Sequence, residues 1–255
     1  MVRWSRLVWF VSGIFMGSAG PTEAAPRAAP RSPEASSWCA PETETLADDV
    51  CYFDGAEGAR RTLVVFLHGV IPPNTTWQWT QHHALVHEAK RLGFAVLMPR
   101  APRRTFDKGD LYAWPTAVSA QRTEEEALVE SWSRARKLVT SRAGLPFDEV
   151  FVVGFSSGAY YAASLALRGR LDDVDGYALL AGGADYGRPS AKAKKPIYVG
   201  VSARDRQTAP DARALAADLA KWGWPHRVHE EPVGHTVSDV QMTPALAYLR
   251  HVTSS

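Results

Sequence analysis

The chain is short of cysteine. Cys39 and Cys51 are its only two, which sets aside a disulfide-rich scaffold and a cysteine-ligated metal cluster. It also lacks an excess of charge of either sign. With 29 Lys and Arg against 27 Asp and Glu, and the basic residues scattered, the electrostatic footprint of a nucleic-acid binder is missing. No internal repeat is visible, so a solenoid or propeller is not expected. The apolar run from Leu7 to Ala19 falls short of the roughly 20 residues that a membrane-spanning helix requires.

What is there suits one folded domain. A chain of 255 residues with 45% hydrophobic, 10% aromatic and 22% charged content can bury a sizeable core and is not disordered. Arg3 and Arg6 precede the Leu7 to Ala19 run, and small residues follow near Ala24 and Ala25. That pattern predicts a secretory signal peptide over residues 1–24, with no stable membrane insertion after cleavage and a secreted or periplasmic product. Residues 25–37 are rich in Pro, Ala and Ser and read as a flexible leader, leaving 38–255 as the catalytic domain. Export places Cys39 and Cys51 in an oxidising compartment, where a disulfide between them would stabilise the fold by about 2 to 3 kcal/mol.

Six short apolar runs, 62–69, 93–99, 149–155, 176–183, 196–202 and 226–232, alternate with helical patterns at about 81–92, 122–141, 157–168, 210–222 and 243–251. Alternation of this kind predicts a mostly parallel central sheet with helices on both faces, a three-layer α/β sandwich. Residues 47–55 are expected to add one or two antiparallel edge strands. In such a sheet the ligand sits beyond the carboxyl ends of the strands, so chemistry is sought just after each run.

Gly154-Phe155-Ser156-Ser157-Gly158 matches G-x-S-x-G, follows a strand and opens a helix. That strand-turn-helix context lifts the middle serine to the top of the sheet, and glycines at both flanks avoid a Cβ clash. Ser156 is therefore the presented nucleophile, and Ser157 contributes its backbone N–H. A serine hydroxyl needs a histidine to take its proton and a carboxylate to orient that histidine, in chain order Ser, Asp, His. Asp205 and His235 lie just past the fifth and sixth runs. Asp185 is a rival acid, Asp211 falls inside the next helix, and His226 and His229 read as strand residues. The oxyanion of acyl transfer needs backbone donors, for which the residues after the first run, His68-Gly69-Val70, supply the N–H of Val70 beside that of Ser157. His68 itself reads as a ligand of nearby backbone. His83 and His87 lie four apart on a helix, but with no third ligand in view no metal is expected. Trp77, Trp79 and Trp114 fall in segments on the active face and are candidate substrate-binding residues.

His68-Gly69, the elbow GFSSG, Asp205 and Gly234-His235 together resemble the α/β-hydrolase family over about residues 63–252. Within it the chain is similar to compact secreted serine esterases, feruloyl-esterase-like and polyhydroxybutyrate-depolymerase-like. The resemblance implies an acyl-enzyme mechanism on a small-molecule or oligomeric ester, short-chain or aromatic, with no cofactor and no nucleic-acid partner. The short His68-Gly69-Val70 loop and the brief link between 183 and 196 imply no lid domain. A serine peptidase on the same fold and a catalytically inactive binding module are the alternatives.

Overall fold

Segments that read as continuous apolar runs become strands covered on both faces, because each buries alternate side chains against a different helical layer. The computed structural model describes residues 37–58, 60–184, 187 and 189–253. The signal-peptide region and the leader, apart from Ser37, lie outside the described residues, as does Asp185.

The strands are β1 (Glu44–Thr45), β2 (Cys51–Phe53), β3 (Thr62–Leu67), β4 (Phe94–Met98), β5 (Arg103–Phe106), β6 (Gly109–Tyr112), β7 (Glu149–Phe155), β8 (Gly176–Leu180), β9 (Ile197–Ser202) and β10 (His226–Glu231). Eight of them form one sheet in the order β1-β2-β4-β3-β7-β8-β9-β10. Strands β4, β3 and β7 through β10 run parallel, while β1 and β2 pair antiparallel at one edge. The helices are α1 (Trp77–Leu92), α2 (Val118–Ala143), α3 (Ser157–Arg168), α4 (Ala209–Lys221) and α5 (Asp239–Thr253).

Period-two alternation sorts the sheet side chains into two cores. Leu63, Val65 and Leu67 of β3, with Val150 and Val152 of β7, face Trp132, Ala162 and Leu215 of α2, α3 and α4. Val64, Phe66, Phe151 and Val153 face Leu85, Val86 and Ala89 of α1 and Leu246 and Leu249 of α5. This is the three-layer α/β-hydrolase sandwich, and no inserted helical lid interrupts it among the described residues.

Three helices begin earlier than the sequence reading placed them. α1 starts at Trp77, so Trp77 and Trp79 lie in its first turn rather than in a loop. α2 starts at Val118, four residues before the pattern predicted. Glu125 is spent on a buried ion pair with Arg168 and Arg170, and Glu124 pairs with Arg104. α5 starts at Asp239, one turn before the position at which Pro244 would be a first-turn residue; the proline forgoes one backbone bond that the added turn would have offered. The long segment after β4 is not a loop throughout. β5 and β6 form an antiparallel hairpin whose turn ends at Gly109, at φ 114°.

Cys39 and Cys51 are bonded, tying the strap before β1 to β2. Closing so short a loop removes unfolded-chain entropy worth about 2 to 3 kcal/mol. Denatured, unreduced protein is expected to give no thiol on titration, and reduction to lower the unfolding midpoint by about 5 to 10 °C. Two titratable thiols before reduction would contradict the bond.

Candidate active site

Parallel pairing brings the residues after four strands to one edge of the sheet. Register sets Leu67 opposite Gly154, Phe155 opposite Leu180, and Ser202 opposite Glu231. The segments that follow carry Val70, Ser156, Asp205 and His235.

Ser156 sits at φ 52°, ψ −119°, a conformation that costs a non-glycine residue of order 1–3 kcal/mol. The turn is held by what surrounds it. The Ser156 N–H donates to the Leu180 carbonyl at 3.0 Å, and the Ser156 carbonyl accepts from the N–H groups of Ala159 and Tyr160 at 2.9 and 3.2 Å. A Cβ on Gly154 would lie 2.3 Å from the Gly158 carbonyl oxygen, and one on Gly158 would lie 1.9 Å from the Leu67 carbonyl oxygen. No side chain fits at either place, so the flanking glycines permit the elbow.

His235 bridges the other two groups. Its Nδ1 lies 2.5 Å from Asp205 Oδ2 and its Nε2 lies 2.9 Å from Ser156 Oγ. An ionised carboxylate only accepts, so the ring proton sits on Nδ1 and Nε2 is left to accept from the serine hydroxyl. Asp205 is 7% exposed while Arg204 and Arg206 beside it face solvent. Burial alone would raise its pKa. Hydrogen bonds from Thr208 Oγ1 at 2.5 Å, from His235 and from the Gln207 N–H at 3.0 Å outweigh burial and hold the carboxyl below its ordinary 3.8. The acid turn and the histidine loop are joined through backbone, the Ala203 N–H to the Glu231 carbonyl and the Arg204 N–H to the Val233 carbonyl. Behind them the buried Gln241 donates from Nε2 to Ser202 Oγ at 3.0 Å.

The loop after β3 packs against the elbow. A Cβ on Gly69 would come within 3.3 Å of Ser156 Cβ. His68 is buried and grips the neighbouring backbone, as the sequence reading had it. The Ala101 N–H donates to its Nε2 at 3.0 Å, which fixes the proton on Nδ1, and Nδ1 donates to the Gly69 carbonyl at 2.5 Å. Desolvation pushes its pKa down to about 4, so the ring is neutral near pH 7. In a trans peptide the C=O and N–H point opposite ways, so this grip on the Gly69 carbonyl turns the Val70 N–H away from His68. Neither the Val70 nor the Ser157 N–H has a hydrogen bond within the described residues. The Gly69 N–H is held by Gln81 Oε1 at 3.0 Å. Sequence reading missed Gln81, Thr208 and Gln241; a polar residue within a helix or at its start carries no pattern that separates it from a solvated face.

The three tryptophans fare differently. Trp77 is 64% exposed. Trp79 is half-buried and its Nε1 donates to the Ser37 carbonyl at 3.1 Å, pinning the strap. Trp114 is 2% exposed and offers a ligand no ring face, which corrects its reading as a substrate contact. Its ring stacks on Tyr161 and meets Trp132 edge-on. The segment does reach the active face, but the β5–β6 strand pair before it folds the indole inward.

Among the rival groups, Asp211 lies in α4 and accepts from the Tyr160 hydroxyl at 2.6 Å. His226 and His229 are residues of β10. His83 pairs with Glu42 and His87 with Glu88, and no group of three metal-ligating side chains forms among the described residues. A cleft of about 420 Å³ lies elsewhere, between Arg100, Glu124 and Trp132.

A carboxyl whose folded pKa is depressed stabilises the fold fully above its unfolded value, and that contribution is lost as pH falls through the lower folded value. Asp205→Asn is therefore expected to flatten the acid-side fall in stability below about pH 4, read as the unfolding midpoint against pH. An unchanged acid limb would show that Asp205 is not held as an anion in the native state.

Comparison with known proteins agrees with the architecture. A solved structure of YahD with malic acid superposes with TM-score 0.56 at 18% identity, covering 81% of this chain and 98% of that one. Carboxylesterases from Bacillus cereus and Mesorhizobium loti each give TM-score 0.54, at 17% and 22% identity, covering 80% and 84% of this chain and 93% and 99% of theirs. These likenesses establish the α/β-hydrolase fold. Among curated proteins there is no match. The model of the family described as esterase PHB depolymerase matches residues 48–193, more than half of the chain, a span that takes in the loop after β3 and the whole elbow and ends before Asp205 and His235. With that span matched, the chain belongs to the PHB depolymerase family of esterases.

Proposed function

We propose that the chain is a serine carboxylic-ester hydrolase working through an acyl-enzyme, with Ser156 as nucleophile, His235 as general base and acid, and Asp205 as the group that orients it. The observation that carries this reading is the unbroken relay from Asp205 Oδ2 through both ring nitrogens of His235 to Ser156 Oγ, at 2.5 and 2.9 Å. Ser156 Oγ adds to the ester carbonyl as its proton passes to His235 Nε2. The imidazolium that forms is stabilised by Asp205. The N–H groups of Val70 and Ser157 receive the oxyanion, each well-placed donor contributing about 3 to 4 kcal/mol. His235 then protonates the departing alkoxide. Water repeats the sequence on the acyl-enzyme and frees the acid.

The disulfide and the amino-terminal pattern support a secreted or periplasmic setting. No helix among the described residues is long and apolar enough to cross a membrane. For substrate we propose short-chain or aromatic esters. Among the described residues no lid covers the elbow, the His235 side chain is 40% exposed, and Trp77 stands out at the same edge of the sheet.

Ser156→Ala and His235→Ala are each expected to lower kcat by several orders of magnitude, about 10⁶ in a comparable triad, with folding retained. Asp205→Asn loses less, about 10⁴, through the wrong tautomer. Ser157→Ala keeps far more activity than Ser156→Ala, since the chemistry uses its N–H and its hydroxyl serves only as an acceptor for the Trp114 N–H. An inactive Ser157→Ala beside an active Ser156→Ala would overturn the assignment of the nucleophile.

On p-nitrophenyl esters of increasing length, kcat/KM is expected to level off at short acyl chains. Methylenes beyond the open site stay in water and gain none of the roughly 0.8 kcal/mol each that burial would give. A steady rise through long chains, or a step at the micelle concentration, would refute the substrate class. Amide analogues run in the same panel separate an esterase from a peptidase.

A further inference from the structure

An oxyanion site made of two N–H groups from separate segments works only if the segments are held in register, because each donor must lie about 2.7 to 3.1 Å from one small anion. Here one donor follows β3 and the other opens α3. The elbow sets the second. What holds the first against it is not part of the triad.

We propose that Trp114 is the positioning residue that locks the two oxyanion donors together. This rests on the esterase reading above. Its indole Nε1 donates to the His68 carbonyl at 2.8 Å, two residues before Val70, and its backbone N–H donates to Ser157 Oγ at 3.3 Å. One residue thus binds both donor segments. The grip on the Val70 side is doubled a step further on, where Ile71 and Tyr112 exchange backbone bonds, Ile71 N–H to Tyr112 carbonyl at 3.1 Å and the reverse at 2.8 Å. Val70 is therefore bracketed by Trp114 before it and Tyr112 after it. With the Gly69 N–H on Gln81, the His68–Gly69 peptide unit is fixed at both its carbonyl and its N–H.

The indole is itself immobilised. It stacks on Tyr161 of α3 at 5.9 Å and 9°, meets Trp132 of α2 edge-on at 5.6 Å, and lies 5.1 Å from the His68 ring. A buried indole N–H seeks a partner, and this one has the carbonyl whose position sets the oxyanion loop. Trp132, in the same cluster and nearly as buried, leaves its Nε1 without a partner among the described residues. The two rings thus share packing and differ in the hydrogen bond.

That difference gives the test. Trp114→Phe keeps an aromatic ring and deletes the N–H, and replacing Trp114 by 3-benzothienylalanine keeps the bicyclic shape while deleting only the N–H. Trp132→Phe serves as the packing control. Deleting an oxyanion donor outright costs about 10² to 10³ in kcat, and loosening one leaves part of its effect. Both changes at Trp114 are expected to lower kcat on a short-chain p-nitrophenyl ester about 10-fold with KM within about twofold. Affinity for an aryl boronic acid, which forms a tetrahedral adduct on the serine, should fall in proportion to kcat/KM. Trp132→Phe should lose comparable thermal stability with kcat and boronate affinity unchanged. Should Trp114→Phe fail to fold, the benzothienyl variant decides. Unchanged kcat and boronate affinity in that variant, or an equal loss in Trp132→Phe, would overturn the proposal alone. Hydrolysis surviving Ser156→Ala in the parent would overturn the esterase reading and the proposal together.

Discussion

The site depends on one close approach, that of Gly158 to the carbonyl of Leu67. With 1.9 Å between that oxygen and the place of a Cβ, α3 starts as near to β3 as a backbone can come. This contact sets the elbow against the loop after β3 and so sets Ser156 against Gly69 and Val70. The strain at Ser156 follows from the same geometry. A strand running straight into a helix pressed on its neighbour must turn within one residue, and Ser156 takes the positive φ that results. Six parallel strands and two helical layers over-determine the turn, which is how a conformation costing of order 1–3 kcal/mol persists.

The two histidines of the site show how environment assigns work. Each has one ring nitrogen held by a partner of fixed polarity and the other left to act. In His235 the carboxylate of Asp205 accepts the Nδ1–H bond, which keeps the proton on Nδ1 and leaves Nε2 as an acceptor for the serine, with the ring open on one side. In His68 the Ala101 N–H occupies Nε2 and leaves Nδ1 as a donor, turned on the Gly69 carbonyl inside the fold. Burial keeps His68 neutral, with a pKa of about 4, so it behaves as a fixed dipole and not as a proton carrier. Residue type alone does not divide these tasks. Burial and the polarity of the partner do.

Much of this was legible in the sequence, because the features concerned are local. The strands announce themselves by β-branched runs, the elbow by its glycines, and Asp205 and His235 by standing just after two of the runs. Other features are not local. Glu125 lies inside α2, drawn into a buried cluster with Arg168 and Arg170, partners more than forty positions away that no local pattern reveals. The hairpin of β5 and β6 was hidden by its polar strands, although Asp107-Lys108-Gly109 is a turn signal. Missing it put Trp114 on the surface as a ligand contact, whereas the hairpin turns the chain back and carries the indole into the core.

In the reaction proposed above, the elements that supply charge transfer and those that supply charge stabilisation are separate in this fold. Ser156, Asp205 and His235 follow β7, β9 and β10; the segments of Asp205 and His235 are joined through backbone bonds, with Gln241 on Ser202 behind them, and Ser156 meets them through the His235 ring. Val70 follows β3, and its loop is held by α1 through Gln81 and by the segment after the hairpin through Tyr112 and Trp114. On that side the disulfide-bonded strap also leans in, since Trp38 packs 5.1 Å from the rings of both His68 and Tyr112. A disturbance of the strap or hairpin therefore reaches the loop after β3 before it reaches the hydrogen bonds among Asp205, His235 and Ser156. Under the acyl-enzyme reading proposed above, stabilisation of the tetrahedral intermediate can vary while Ser156 and His235 stay in place, and it is through the first half of the chain that rate is tuned without rebuilding their relay.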